Sequence, residues 1–131
     1  ITAEILDYIE YAKAKGCSMT GPAKGTLDLP GGFVDMFESG EEAARREVRE
    51  ETGLHIQNCR YLFSLPNLYM YSGFEVHTLD MFYECLVDDF NNVHAEDDAA
   101  EIVILRPEDV NPEDFGLDSI RKAVPIYLGK Y

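Results

Sequence analysis

The strongest constraint on the fold is a helix whose beginning and end are both marked in the sequence. Ser39, followed three residues later by Glu42, has the pattern of a capping box at a helix N-terminus. Gly53 is the kind of residue that commonly ends a helix. We therefore predict a helix over residues 39–52, the clearest element in the chain.

Three carboxylates share one face of this predicted helix. Glu47, Glu50 and Glu51 stand at positions i, i+3 and i+4, so their side chains can reach a common point. Like charges at these spacings destabilise a helix by about 0.2 to 0.5 kcal/mol per pair unless a cation compensates them. From these residues alone, two interpretations stay open: a face that binds Mg²⁺ or Mn²⁺, which prefer oxygen ligands, or a solvated acidic surface.

The spacing around the helix favours the metal. Gly32 is followed after five residues by Glu38, and Glu38 after seven by the run R-E-V-R-E-E-T-G-L of residues 46–54. This pattern resembles the signature of the Nudix hydrolases, G-x5-E-x7-R-E-U-x-E-E-x-G-U, where U is aliphatic, at all nine specified positions. Residues 27–35 also resemble the sequence that leads into that signature.

The resemblance implies a fold, a cofactor and a set of site residues. The fold is an α/β/α sandwich with a mixed β-sheet, here as a single domain over residues 1–131, and the cofactor is Mg²⁺ or Mn²⁺. The implied metal ligands are Glu47, Glu50 and Glu51, helped by a backbone carbonyl at Gly31 or Gly32. We predict the three glutamates and Arg46 as catalytic residues. In this family, the residues at the positions of Arg46 and Glu38 brace the loop and the helix.

The activity implied by the resemblance is hydrolysis of a diphosphate linkage in a nucleoside diphosphate-linked substrate. Bound cations reduce charge repulsion, activate water and stabilise the leaving phosphate, so no covalent nucleophile is required. The three histidines share no ligand spacing, and we interpret them as ordinary strand or loop residues. The alternative is a non-catalytic Nudix-fold module that binds a nucleotide and regulates. The intact carboxylate set favours the enzyme.

Beyond the signature, Glu101 is a candidate general base or further metal ligand. In many Nudix enzymes such a carboxylate lies just before a late strand, and Glu101 immediately precedes the apolar residues 102–105. The other interpretation, a residue of a solvated acidic loop, is equally open.

Substrate contacts are expected in residues 64–72, which we interpret as a loop. This segment resembles a degenerate form of the motif S-Q-P-W-P-F-P-x-S of NADH diphosphatases, retaining Ser64, Pro66, Ser72 and an aromatic residue at 69. Tyr69 and Tyr71 are candidates for stacking on a base and Asn67 for hydrogen bonding to it, while a loop packed on the sheet is the alternative. The substrate classes considered are NADH or NAD and ADP-ribose.

Composition limits the partners. A formal net charge of -14 over 131 residues disfavours binding to a nucleic acid duplex, which depends on Lys and Arg. An acidic chain can bind phosphate compounds when divalent cations lie between its carboxylates and the phosphates. We expect a cytoplasmic protein with no membrane segment, whose three cysteines are reduced and structural.

The remaining elements are predicted from periodicity and turn residues. Strands are expected at 26–29, 54–64, 75–87 and 102–105, a turn at 30–32 and loops at 16–25 and 67–73. A helical turn at 107–110 and a helix at 118–128 follow, although Pro125 would kink that helix or delay its start. Residues 1–15 fit either strands or a helix. If the two N-terminal strands of the family are incomplete here, a homodimer would be needed to complete the substrate pocket.

Overall fold

The computed structural model of the protein describes residues 2–7, 11–16, 27–87 and 99–129. Its strands are β1 Thr2–Asp7, β2 Tyr11–Gly16, β3 Gly31–Phe33, β4 Ile56–Tyr71, β5 Phe74–Val87 and β6 Ala99–Leu105. Its α-helices are α1 Gly40–Thr52 and α2 Asp118–Leu128, and two 3₁₀ helices, Pro107–Asp109 and Pro112–Asp114, precede α2.

The larger sheet has four strands in the order β3-β1-β5-β4. Its central pair, β1 and β5, is parallel, whereas β1 with β3 and β4 with β5 are antiparallel. Strands β2 and β6 form a separate antiparallel pair. The mixed sheet predicted from the resemblance is therefore confirmed.

The two helices pack on opposite faces of the large sheet. On one face, Ala43, Ala44 and Val48 of α1 form a buried cluster with Tyr83 and Cys85 of β5. On the other face, Phe82 of β5 belongs to a cluster with the apolar side of α2, formed by Ile120, Ala123 and Val124. Because neighbouring residues of a strand point to opposite faces, β5 supplies both cores. This arrangement confirms the α/β/α sandwich.

Strands β4 and β5 form one long hairpin, and the loop predicted at residues 67–73 is wrong. Only Ser72 and Gly73 form the turn, with φ angles of 50° and 83°, as two-residue hairpin turns require. Pro66 lies within β4, opposite Leu79. A proline is tolerated there because β4 is an edge strand, where a missing backbone N–H leaves fewer ladder bonds unmade.

The glycines before α1 also differ from the prediction. Gly31 and Gly32, expected in a turn, belong to β3 and pair with Glu4 and Ala3 of β1. The strand predicted at residues 26–29 is reduced to an isolated bridge between Leu27 and Phe115. The pairing with β1 places the strand at the two glycines and not at residues 26–29. The local sequence could not reveal this pairing.

At the N-terminus, the alternative of two strands is confirmed, because β1 and β2 are both formed. Strand β1 belongs to the four-stranded sheet and β2 pairs with β6, while the homodimer stays a prediction. The predicted loop at 16–25 lies outside the described residues except for Gly16, which ends β2.

In the last third of the chain, the predicted strand at 102–105 lies within β6, and the helical turn at 107–110 is the first 3₁₀ helix. Helix α2 begins at Asp118 with Pro125 inside it, so the proline does not delay the start of the helix. No helix in the described ranges is long and apolar enough to span a bilayer.

Candidate active site

The ends of α1 have the geometry that the sequence predicts. The Ser39 hydroxyl accepts a hydrogen bond from the Glu42 N–H at 3.1 Å, and the Glu42 carboxylate accepts one from the Ser39 N–H at 2.9 Å. Hydrogen bonding to the carboxyl by Ser39, first through its backbone N–H and then through its side chain, lowers the pKa of Glu42. At the other end, Gly53 has a φ of 74° and donates to the Arg49 carbonyl at 3.0 Å. The capped helix holds its acidic face at a fixed rotation over β3.

Two carboxylates of α1 meet the two glycines of β3. The Gly31 N–H donates to Glu51 Oε2 at 2.7 Å, a contact between residues 20 positions apart. A Cβ added at Gly32 would lie only 2.8 Å from Glu47 Oε1. Glycine is therefore needed at position 32 if Glu47 is to keep its place, since real Cβ contacts are longer.

Arg46 connects this face to the loop before the helix. Its guanidinium forms a two-pronged pair with Glu38, with nitrogen to oxygen distances of 2.7 and 2.9 Å, and also donates to the Phe33 carbonyl at 3.2 Å. Its Nη1 donates to Glu47 at 2.7 Å and more weakly to Glu50 at 3.3 Å. These contacts correspond to the bracing that the resemblance implies for Arg46 and Glu38.

The arginine also affects the titration of its neighbours. Hydrogen bonds from Arg46 and from the Asp35 backbone lower the pKa of Glu38 to about 2. The pKa of Glu47 is raised, first by partial burial and also by the charges of Glu50 and Asp35, while Arg46 acts in the opposite direction. The acidic face is therefore one where added positive charge would be favourable.

The donor set fits a hard divalent cation. Glu47, Glu50 and Glu51 offer only carboxylate oxygens, the ligands that Mg²⁺ and Mn²⁺ prefer. In the part of the chain that the structure describes, no three acidic, His or Cys side chains converge closely enough to form a metal cluster. Arg46 draws Glu47 and Glu50 towards its own nitrogen, and the Gly31 N–H holds Glu51. Convergence on an ion would require the carboxylates to exchange these partners.

The predicted substrate residues lie in β4 rather than in a loop. Asn67 is only 7% exposed, and its Oδ1 accepts a hydrogen bond from the Ser119 N–H at 3.4 Å, at the start of α2. Tyr69 and Tyr71 follow at alternate positions of β4, and their side chains lie outside what the structure describes, as does that of Glu101. The backbone of Glu101 lies in β6, opposite Lys15 of β2.

A buried polar cluster was not anticipated from the sequence. Asp80 is 1% exposed and accepts hydrogen bonds from the hydroxyls of Thr78, at 2.7 Å, and Ser119, at 2.6 Å. Burial raises the pKa of nearby Asp28 to about 7, with Asp80 adding to the rise and a hydrogen bond from the Leu29 backbone opposing it. The available signal was the pair of polar residues Thr78 and Asp80 between the apolar residues Val76 and Phe82 on one face of β5.

Solved structures share this fold. The NUDIX domain of Shewanella oneidensis NrtR, solved in complex with ADP ribose, superposes with a TM-score of 0.73 at 17% identity, covering 92% of this chain and 81% of that one. At this identity the likeness concerns the fold alone.

Curated relatives match over shorter segments. An ADP-ribose pyrophosphatase of Methanocaldococcus jannaschii is 61% identical over 33 residues, which are 25% of this chain and 20% of the relative. The NAD-capped RNA hydrolase NudC of Pasteurella multocida is 57% identical over 35 residues, or 27% of this chain and 13% of the relative. The matched segments thus span a fifth or less of the length of either relative.

One sequence match extends over most of the chain, and it is to a family model. A sequence model of the NUDIX domain matches residues 14–125, which include β3, the capped helix and the polar cluster. Together with the α/β/α fold, this match shows that the chain belongs to the NUDIX domain family.

Proposed function

We propose that the protein is a metal-dependent hydrolase that cleaves the diphosphate linkage of a nucleoside diphosphate-linked substrate of the ADP-ribose or NAD class. The observation that carries the proposal is the meeting of the α1 carboxylates with the β3 glycines, where Glu51 binds the Gly31 N–H and Glu47 leaves no room for a Cβ at Gly32. A purely structural acidic surface has no need of such close approach.

In this proposal Glu47, Glu50 and Glu51 hold Mg²⁺ or Mn²⁺, with the backbone carbonyl of Gly31 as a further ligand. When bound, the cation supplies charge neutralisation at the diphosphate and lowers the pKa of a water molecule. The Arg46 guanidinium keeps Glu47 oriented while it anchors the preceding loop through Glu38. The carboxylate of Glu101 is the proposed acceptor of the proton that the attacking water loses.

The substrate class is inferred from the relatives and from β4. The names of the two curated relatives point to ADP-ribose and to NAD-linked substrates. We assign Tyr69 and Tyr71 to stacking on the base. Asn67 is the proposed hydrogen-bonding residue, and one of the two acceptor positions of its Oδ1 is already taken by the Ser119 N–H.

The test is a substrate panel with a matched pair of variants. Purified protein is incubated with Mg²⁺ or Mn²⁺ and ADP-ribose, NADH or NAD, and mononucleotide products are separated by chromatography. Glu50→Gln removes a carboxylate that is 45% exposed and, among the described residues, forms the long contact with Arg46, so the variant should stay folded. We expect its turnover to fall by about 100-fold or more. Substituting a residue that only hydrogen-bonds to a metal ligand already costs about 10- to 100-fold in metal affinity or activity.

Glu41→Gln is the control, because it removes the same charge from the same helix and, in the part of the chain that the structure describes, breaks an exposed pair with Arg45. It should keep near-normal turnover. Full activity in Glu50→Gln would contradict the assignment of the metal site. Binding of ADP-ribose without turnover of any substrate would instead support the alternative, a regulatory nucleotide-binding module.

A further inference from the structure

Two cysteines face each other in the core beneath the acidic helix. Cys59 of β4 and Cys85 of β5 are direct partners in the antiparallel register. Their sulfur atoms are 3.6 Å apart, and the side chains are in the thiol form. Cys59 is 9% exposed and Cys85 is 1% exposed. A thiol pair at this distance is a hydrogen-bonded contact that can also become a covalent bond.

The backbone geometry permits that bond with a small adjustment. Facing residues of antiparallel strands have Cα atoms about 4.5 to 5.5 Å apart, within the range of about 4.4 to 6.8 Å found in disulfides. Their Cβ atoms are normally about 4.5 to 5.5 Å apart, whereas a disulfide prefers about 3.5 to 4.5 Å. Closing the bond would therefore draw the strands together locally, and a strained disulfide of this kind is readily reduced.

Cys59 is the thiol placed to react first. It lies in an edge strand of the sheet and is the more exposed of the two. Its hydrogen bond with Cys85 lowers its pKa, although burial acts in the opposite direction. A larger thiolate fraction favours attack on an oxidant.

The pair is in contact with the helix that bears the proposed metal ligands. Cys59 and Cys85 belong to the same buried cluster as Ala43, Ala44 and Val48 of α1. The alanines are fully buried, so they leave little slack between the helix and the sheet. A displacement of the sulfur atoms would therefore disturb the packing of this cluster against α1, where Val48 is the neighbour of Glu47.

We propose that Cys59 and Cys85 form a reversible disulfide on exposure to hydrogen peroxide, and that the bond displaces α1 and weakens its hold on the divalent cation. The Cys59 thiolate attacks the O–O bond and becomes a sulfenic acid, releasing water once the leaving oxygen is protonated. The Cys85 thiol then attacks that sulfur, the disulfide forms, and a second water leaves. Two thiols are oxidised, the peroxide is reduced, and a dithiol reverses the change. The effect on the cation rests on the proposed function, whereas the disulfide itself does not.

The experiment uses the full chain with Cys17→Ser, so that only the two core thiols remain. After treatment with hydrogen peroxide, the protein is alkylated, digested and analysed by mass spectrometry. We expect a peptide pair linked through Cys59 and Cys85, with the loss of two hydrogen atoms, which disappears after dithiothreitol. Absence of the linked pair, with Cys59 reduced or oxidised further to a sulfinic acid, would overturn the disulfide.

Calorimetric titration with Mg²⁺ tests the effect on α1. The oxidised protein should bind Mg²⁺ several-fold more weakly than the reduced protein, and dithiothreitol should restore the affinity. Cys59→Ala in the same background should bind Mg²⁺ equally before and after peroxide, and Cys85→Ala serves if that variant does not fold. A linked protein with unchanged affinity would overturn the coupling to α1. A reduced protein that binds no Mg²⁺ would overturn the metal assignment and the coupling together, while the mass spectrum still decides the disulfide.

Discussion

Arg46 determines the position of several other side chains through the shape of its guanidinium group. Its planar fork binds both oxygens of Glu38, and the same group reaches the Phe33 carbonyl and Glu47. A lysine has one compact ammonium and could not make these directed contacts together. Arg46 thus links the loop, the β3 strand and the acidic helix, in addition to the hydrogen bond between Gly31 and Glu51.

Asp28 should make the stability of the protein depend on pH. Its folded pKa of about 7 exceeds the ordinary value of 3.8, so the folded state holds a proton that the unfolded state releases between these values. The free energy of unfolding should therefore fall as the pH rises through this window, by up to about 1.4 kcal/mol per pH unit for one proton. Asp28→Asn cannot ionise and should lose this part of the pH dependence.

Urea unfolding at about pH 5 and about pH 8 measures this difference. Asp109→Asn provides a control at an exposed position of a 3₁₀ helix and should leave the pH dependence unchanged. If wild type and Asp28→Asn lost equal stability between the two pH values, the raised pKa of Asp28 would be ruled out.

At the scale of elements, the N-terminal cap of α1 is a measurable contribution to stability. Ser39→Ala removes the hydroxyl that accepts from the Glu42 N–H, and such losses cost about 1 kcal/mol. We expect a lower midpoint of thermal unfolding, followed by circular dichroism. Ser39→Asn, which can still cap, should keep most of the wild-type midpoint. An Ala variant as stable as the Asn variant would show that the cap contributes nothing.

Helix α1 was predictable because its signals are local. The capping pair and the terminal glycine lie within the helix and its ends, so no tertiary contact is needed to recognise them. The hairpin was not predictable in the same way, because Pro66 is acceptable only if β4 is an edge strand, and strand order is a property of the whole sheet.

In the candidate site, too, local features could be predicted from the sequence and long-range contacts could not. The resemblance to the signature predicted Glu47, Glu50 and Glu51 as metal ligands, which stays a prediction, and a bracing role for Arg46, whose contacts with Glu38 and Phe33 the structure shows. The polar cluster joins Asp80 to Ser119, which is 39 positions away, and brings Asp28 near Asp80. No local pattern reports contacts over such separations.

For the whole molecule, the net charge of -14 predicts two separate responses to ions. Monovalent salt should raise the midpoint of thermal unfolding by screening self-repulsion, since the Debye length is about 10 Å at 0.1 M. Mg²⁺ at the same ionic strength should raise it further and saturate, adding about 2.7 kcal/mol at a hundredfold excess over its Kd.

The two responses separate in the Glu50→Gln protein, which should keep the effect of monovalent salt and lose most of the additional effect of Mg²⁺. Differential scanning fluorimetry of wild type and variant across both ions checks this. Equal midpoints in NaCl and MgCl₂ at matched ionic strength would mean that no specific divalent site stabilises the fold.

The hairpin of β4 and β5 also orders the folding of the molecule in time. Its strands are joined by a two-residue turn, so their pairing closes only short loops, whereas β1 must pair with β5 across a separation such as that between Thr2 and Asp80. Strand β3, which carries Gly31, pairs with β1. The hairpin should therefore form early and serve as the template on which β1 and then β3 are laid, so the face that meets the α1 carboxylates is completed late in folding.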